Sequence, residues 1–189
     1  MTNTLVLIDL QNDYFPGGRM ELVDADAAVA QAAALLAAFR SDGLPVIHVQ
    51  HVSTRAGASF FLPDSPGVQI HAAVQPRSDE TVIVKHFPSA FRDTHLHARL
   101  RELGAEHLTI AGMMTHMCVD TTVRAAADLG FQCSLAHDAC ATRDLQFGGD
   151  TVAAADVQIA YLAALNGTFA SVRAASEIAT TLRSTAAGA

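Results

Sequence analysis

Short runs of β-branched and other apolar residues alternate along this chain with longer stretches rich in Ala and Leu. Six short runs, at residues 4–9, 45–50, 81–85, 107–111, 132–136 and 168–172, read as strands. Each is mostly apolar throughout, the pattern of a parallel sheet covered on both faces. Residues 25–41, 94–103, 116–129, 149–165 and 176–183 read as helices. Gly43, Gly104 and Gly130 each stand between a helix and the next strand, where a left-handed residue closes the helix. The rhythm predicts an α/β fold with three α/β/α layers. Its doubly wound, six-stranded, mainly parallel sheet is expected in the Rossmann-like order 3-2-1-4-5-6.

Residues 52–80 interrupt that rhythm with Gly57, Pro63, Pro66, Gly67 and Pro76, so a long surface loop is expected there. Within it the SFFL segment sets Phe60 beside Phe61, and a pocket lid or a subunit contact would cover them. The tail, residues 184–189, is expected to fray.

Composition narrows the class. A chain of 189 residues, 50% of them apolar, suits a single domain over 1–189 that needs no metal or disulfide staple. The formal charge of −7, without a Lys/Arg cluster, argues against nucleic acid and against an anionic membrane, leaving small molecules as the expected partner. Three cysteines with no C-x-x-C pair fit neither a disulfide framework nor a common zinc spacing. The first apolar stretch is broken at Asp9, too early for a signal or membrane segment, so a reducing, cytoplasmic location is expected.

Three strand ends carry chemistry. LVLIDL ends the first strand with Asp9, TVIVKH places Lys85 at the end of the third, and GMMTHMCVDTT sets Cys118 one turn into a helix after the fourth. In an open α/β sheet these edges converge on one crevice, and a carboxylate, an ammonium and a thiol there make an activated cysteine nucleophile. A free thiol titrates near about 8.5; Lys85 and the positive helix end are expected to pull it down. Asp9 pushes the other way but can take the thiol proton.

The segments LVLIDLQNDYF, VIHVQH, VIVKHFPSAFRDTHL, AGMMTHMCVDTTVRAAADLGF and DACATRD together cover nearly the whole chain. On them the chain resembles the isochorismatase-like cysteine hydrolases, a superfamily that includes nicotinamidases, N-carbamoylsarcosine amidases and ureidoacrylate amidohydrolases. The resemblance implies Cys118 as nucleophile, Asp9 as base and Lys85 as third member of the triad. It also implies a cis peptide bond between Met113 and Met114, and an oxyanion hole made by the backbone N–H groups of Met114 and Cys118. The isochorismatases of the superfamily share the Asp/Lys pair but cleave a vinyl ether without a cysteine, so Cys118 favours amide cleavage.

Around the triad, Tyr14, Phe87, Phe91 and Met117 are expected to line an apolar pocket, with His51 as a hydrogen-bond donor to substrate or a satisfied strand-end histidine. Gln11, Asn12 and Asp13 are expected to hold loop backbone. His48 and His51 fall on opposite strand faces and make a poor shared metal site. Nicotinamidases carry an Asp and a His for a metal after the second strand; the matching stretch here is Gln50, His51, Val52, Ser53, with His51 and Ser53 in the places of that Asp and His. No metal and no cofactor are therefore expected. His71, His86, His95, His97, His107 and His116 read as surface or capping residues, and Cys133 and Cys140 as structural.

The leading expectation is a cysteine hydrolase cleaving a C–N bond of a small amide, carbamoyl or ureide compound through a thioester, releasing ammonia or an amine. Subunits are expected to pair as a homo-oligomer, a dimer or tetramer. The alternatives are a nicotinamidase with an altered metal site and, from another class, a small-molecule-binding or redox-sensing protein with a reactive thiol.

Overall fold

The computed structural model describes residues 2–186, with side chains described over 2–182. Strands β1 (Thr2–Ile8), β2 (Val46–His51), β3 (Thr81–Lys85), β4 (Ala105–Met113) and β5 (Gln132–Ala141) are followed by a hairpin of β6 (Leu145–Phe147) and β7 (Asp150–Val152), and then by β8 (Ser171–Arg173). The main sheet has the order β3-β2-β1-β4-β5-β8, with every pairing parallel. That is the expected 3-2-1-4-5-6 order, because β8 is its sixth strand.

The helices are α1 (Ala25–Ser41), α2 (Leu96–Glu102), α3 (Asp120–Asp128), α4 (Ala154–Leu165) and α5 (Ala175–Ala186). Alternation along β1 explains the two outer layers. Leu5 and Leu7 pack with the α1 residues Leu35, Leu36 and Phe39 and with Ile178 of α5. Val6 and Ile8 pack with Leu96 and Leu100 of α2, Val123 and Ala126 of α3, and Leu165 of α4. Both faces of β1 are therefore dry, and its charged end at Asp9 opens only at the carboxyl edge.

Most boundaries follow the sequence; β5 runs on to Ala141 past the expected 136, the sixth strand begins at Ser171 rather than 168, and three further features depart from expectation. The helix expected over 149–165 begins only at Ala154, because Gly148 and Gly149 turn the preceding chain into the antiparallel β6–β7 hairpin. The helix expected over 116–129 splits into a wide π turn, Thr115–Val119, and α3. The last helix keeps helical backbone to Ala186, past the expected stop at 183; of the tail expected to fray, residues 187–189 lie outside the described residues.

At the far edge of the sheet, Glu80 clamps the start of β3. Its carboxylate takes two hydrogen bonds from Arg40 of α1, at 2.7 and 2.8 Å, and lies 2.9 Å from Nε2 of His48 on β2. His48 thus belongs to this clamp and not to the carboxyl edge. Among the described residues no helix is long and apolar enough to cross a membrane.

Candidate active site

Asp9 stands one residue beyond β1 with a left-handed backbone, φ 51°, unusual for a residue with a side chain. Its N–H donates to Val49 O at 3.0 Å and its carbonyl accepts from Gln11 N at 2.9 Å, so the turn is fixed at both ends. Lys85 ends β3. Cys118 lies in the π turn, where the N–H groups of Met117 and Val119 both close on Met114 O, at 3.0 and 3.2 Å. Such widened turns recur at functional sites because they re-aim one side chain without ending the helix. The Met113–Met114 peptide bond at the entry to the turn is cis.

The three strand-end groups meet at the Lys85 ammonium. Its Nζ lies 2.7 Å from Asp9 Oδ2, 3.2 Å from Cys118 Sγ, 2.9 Å from His51 Nδ1 and 3.1 Å from Phe87 O. Asp9 and Lys85 are fully buried, and Cys118 keeps 4% of its surface exposed. An ammonium has three protons for these four acceptors. The Asp9 contact is an ion pair without hydrogen-bond alignment, and both carboxylate oxygens are otherwise unpartnered. That leaves the carboxylate free to receive a proton.

The charge state of the sulfur differs from the expectation. Burial pushes the Cys118 thiol up, Asp9 pushes it further, and Lys85 only partly offsets them. Cys118 therefore rests as a thiol rather than a thiolate, because desolvation at 4% exposure outweighs one ammonium that is already shared with Asp9. Burial alone would lower Lys85, but the Asp9 carboxylate beside it pulls the other way and the ammonium is held charged. Cys133 and Cys140, also buried, are pushed up to about 12 by burial; neither has a charged group within bonding distance of its sulfur, Cys133 contacting Phe131 O and Cys140 contacting Ala136 O.

His51 is drawn into the site. Burial, then Lys85, lowers it to about 4, so at neutral pH it is uncharged and its Nδ1 lone pair accepts from Lys85. The remaining ring proton consequently sits on Nε2. A depressed value fixes the sign of its linkage to folding. The unfolded chain takes up this proton as pH falls through about 6.5, the folded one only near 4. The contribution is complete above about 6.5 and is lost as pH falls toward 4. In urea titrations over that window, the wild-type midpoint is expected to fall more steeply than that of His51→Gln; parallel lines would remove this assignment.

Of the expected pocket residues, Tyr14 is buried, with its ring 4.7 Å from Phe61 and 6.0 Å from Phe60. Phe87 is half-buried under the Arg92 guanidinium, 3.6 Å above its ring, and Met117 is 40% exposed. Phe91 does not join them. It stacks 6.3 Å from Phe131, which precedes β5, and packs half-buried against the core cluster that holds α2 and α3 residues.

The expectation for the SFFL segment also changes. Phe61 is wholly buried against Tyr14, so it is wall rather than an exposed lid or contact. The QND run builds that wall. Gln11 donates to His51 O and Val68 O, Asn12 to Pro66 O, and Asp13 Oδ2 accepts Phe61 N–H at 2.6 Å. A side chain at Gly67 would run into the Asp13 carboxylate, which explains the glycine.

His116 is another correction. It is buried rather than on the surface, with Nδ1 2.5 Å from Thr142 Oγ1 at the end of β5. Only burial of the turn could have revealed this, and no periodic signal marks a five-residue π turn.

Asp9, His51 and Cys118 offer ligand atoms within 4.8 Å of one another, which on donor types alone could suit a metal. The Lys85 ammonium lies within 3.2 Å of all three and fills the position a cation would take. In the nicotinamidase-like stretch the places of the Asp and the His are taken by His51, whose Nδ1 lies 2.9 Å from the Lys85 ammonium, and by Ser53, whose hydroxyl is a poor ligand beside an imidazole. These residues do not fit a metal.

Residues 3–174 match the family model of the isochorismatase domain. The chain belongs to the isochorismatase family. Within it, this isochorismatase-domain chain is 49% identical over 173 residues to the family protein YddQ of Bacillus subtilis, covering 92% of this chain and 96% of that one. An isochorismatase-type hydrolase of Oleispira antarctica superposes with TM-score 0.92 at 49% identity, over 95% of this chain and 96% of the other. A streptothricin hydrolase of Streptomyces noursei is 34% identical over 80% of this chain and 55% of its own length. More distant family members include a ureidoacrylate amidohydrolase of Variovorax paradoxus, 25% identical over 82% of this chain and 73% of its own.

Proposed function

We propose that this isochorismatase-domain protein is a cysteine hydrolase that cleaves a C–N bond of a small amide, carbamoyl or ureide compound through a thioester. The observation that carries the reading is the single ammonium bridging a carboxylate at 2.7 Å and a thiol at 3.2 Å, all three nearly sealed from water. The hydrolase and amidohydrolase names carried by relatives support the same reaction class.

In the resting state Asp9 and Lys85 are an ion pair and Cys118 is a thiol. As Sγ attacks the carbonyl carbon, the S–H proton passes to Asp9 and the carbonyl electron pair moves onto oxygen. The N–H groups of Met114 and Cys118 are assigned to that oxyanion; neither takes part in the two bonds that close the π turn on Met114 O. Collapse breaks the C–N bond, and protonated Asp9 gives its proton to the departing nitrogen. Water then enters, Asp9 takes one of its protons, and breakage of the C–S bond releases the acid while the proton returns to sulfur. Lys85 stays an ammonium and pairs with Asp9 whenever that carboxylate is ionised.

The neutral, buried thiol speaks against a peroxide sensor, which needs an exposed thiolate. His51, held by Lys85, and Ser53 in place of the Asp and His of the nicotinamidase metal site speak against a metal-dependent nicotinamidase. The deciding experiment is a panel of primary amides, carbamoyl compounds and ureides assayed for ammonia, with mass spectrometry of the quenched protein. Release of ammonia with a covalent acyl adduct on Cys118 is expected. No turnover and no adduct with any member would overturn the proposal.

A further inference from the structure

Two consecutive side chains tie the π turn that carries the nucleophile to the end of β5. Thr115 Oγ1 donates to Ala141 O at 3.2 Å, and Nδ1 of His116 lies 2.5 Å from Thr142 Oγ1. Thr115, His116 and Thr142 are all buried. The anchor is itself fixed on two sides, since Ala141 is in register with Met113 of β4 and the Thr142 carbonyl accepts Val23 N–H at 2.9 Å. The turn is less well fixed by its own backbone. Both bonds that close it fall on one oxygen, Met114 O, so side-chain contacts help to set its tilt about that point.

His116 is an unfavourable residue if packing is its only task. Its Nε2 is buried and finds no partner among the described residues, while its ring meets Tyr161 edge to face with centroids 6.0 Å apart. A Leu or Met in that space would bury no unpaired polar atom. Burial, then Arg143, pulls His116 below the ordinary histidine range, so at pH 7 the ring is neutral and acts by position rather than by charge.

Position is what this stretch has to supply. His116 stands two residues before Cys118, whose N–H is one of the two groups assigned to the oxyanion. Such a donor is effective only where the oxyanion forms, and a misplacement of about 1 Å can cost roughly 100-fold in rate. We propose that His116, held by Thr142, is a positioning residue that aims the Cys118 N–H at the oxyanion, so that the contact between them serves acyl transfer and not the reactivity of the sulfur. This rests on the hydrolase reading, and it assigns a task to a histidine outside the triad.

Two reactions of the same sulfur separate the roles. With 4-nitrophenyl acetate the S–C bond forms through an oxyanion, and the aryl C–O bond then breaks to release 4-nitrophenolate. With iodoacetamide the S–C bond forms as the C–I bond breaks and iodide leaves, and no oxyanion arises. In both the thiol proton passes to Asp9, so only the oxyanion differs. Both rates are measured at one pH, with the Cys118→Ala background subtracted. Thr142→Val, which exchanges the hydroxyl for a methyl of similar size, and His116→Leu are each expected to slow acetylation roughly 10- to 100-fold while alkylation stays within about threefold of wild type. The double variant should be no slower than the slower single one, because both substitutions remove the same contact. His116→Asn, whose amide can meet the Thr142 hydroxyl, should acetylate within about threefold of wild type. Acetylation and alkylation changing in parallel would show a merely structural contact; that result, or acetylation untouched in both Thr142→Val and His116→Leu, overturns the proposal. Wild-type protein that forms no acetyl adduct on Cys118 defeats the hydrolase reading and this one with it, whereas acetylation indifferent to the variants defeats the His116 assignment alone.

Discussion

Cys118→Ala is expected to lower amide turnover by roughly 10⁴- to 10⁶-fold while the protein stays folded, because the substitution removes the only atom that can carry the acyl group. The sulfur lies among buried residues such as Val119 and Val123, and replacing a thiol by hydrogen leaves a small void costing no more than about 1.5 kcal/mol. Circular dichroism and urea denaturation check the second half of that statement, and ammonia release the first. Asp9→Asn should be nearly as damaging, a consequence of the neutral thiol. Were Cys118 already ionised, loss of the base would leave the attack intact and slow only proton delivery to the leaving nitrogen. With burial and Asp9 holding the proton on sulfur, attack itself needs the carboxylate. Iodoacetamide labelling of the free protein should correspondingly be slow at pH 7 and rise with pH. Fast labelling at pH 7, with Asp9→Asn retaining most of its activity, would contradict this arrangement.

The second large effect is on folding. Lys85→Met is expected to destabilise the protein by about 3–5 kcal/mol, because it strands the fully buried Asp9 carboxylate without its counterion and leaves His51 Nδ1 and Phe87 O without their donor. Asp9→Asn/Lys85→Met should recover much of that loss, since neither partner is then charged, yet remain inactive. Urea midpoints of the two single variants and the double give the coupling between the pair. A double variant no more stable than Lys85→Met would mean that the ion pair is not what holds this site together. A buried pair of this kind is expected to add little net stability, so loss of both charges should be tolerated better than loss of one.

Much of this was legible in the sequence because the fold repeats a simple unit. Apolar runs covered on both faces gave the strands, helix-ending glycines gave their spacing, and Asp9, Lys85 and Cys118 sit at strand ends whose convergence the doubly wound order dictates. What stayed hidden depended on contacts between distant segments. The ionisation of Cys118 is set by how dry the crevice is, which no spacing records. Phe91 flanks the lysine in sequence yet turns toward Phe131, because the chain after β3 bends to the α2–α3 face, where Ala90 N–H meets Thr122 Oγ1 at 3.0 Å. The β6–β7 hairpin was legible in principle: LQF and DTV flank a Gly-Gly pair, a strong local hairpin signal that the apolar run after it obscured.

The run Gln11, Asn12, Asp13 follows the base almost directly and grips the long excursion at Val68, Pro66 and Phe61. Stretches outside those moorings, such as residues 54–59 and 62–65, can change in length and side chain while the base keeps its place. Acceptance of new molecules and preservation of the reaction are thereby assigned to different parts of the chain. Lineages built on this scaffold can diversify what they consume without rebuilding how they consume it.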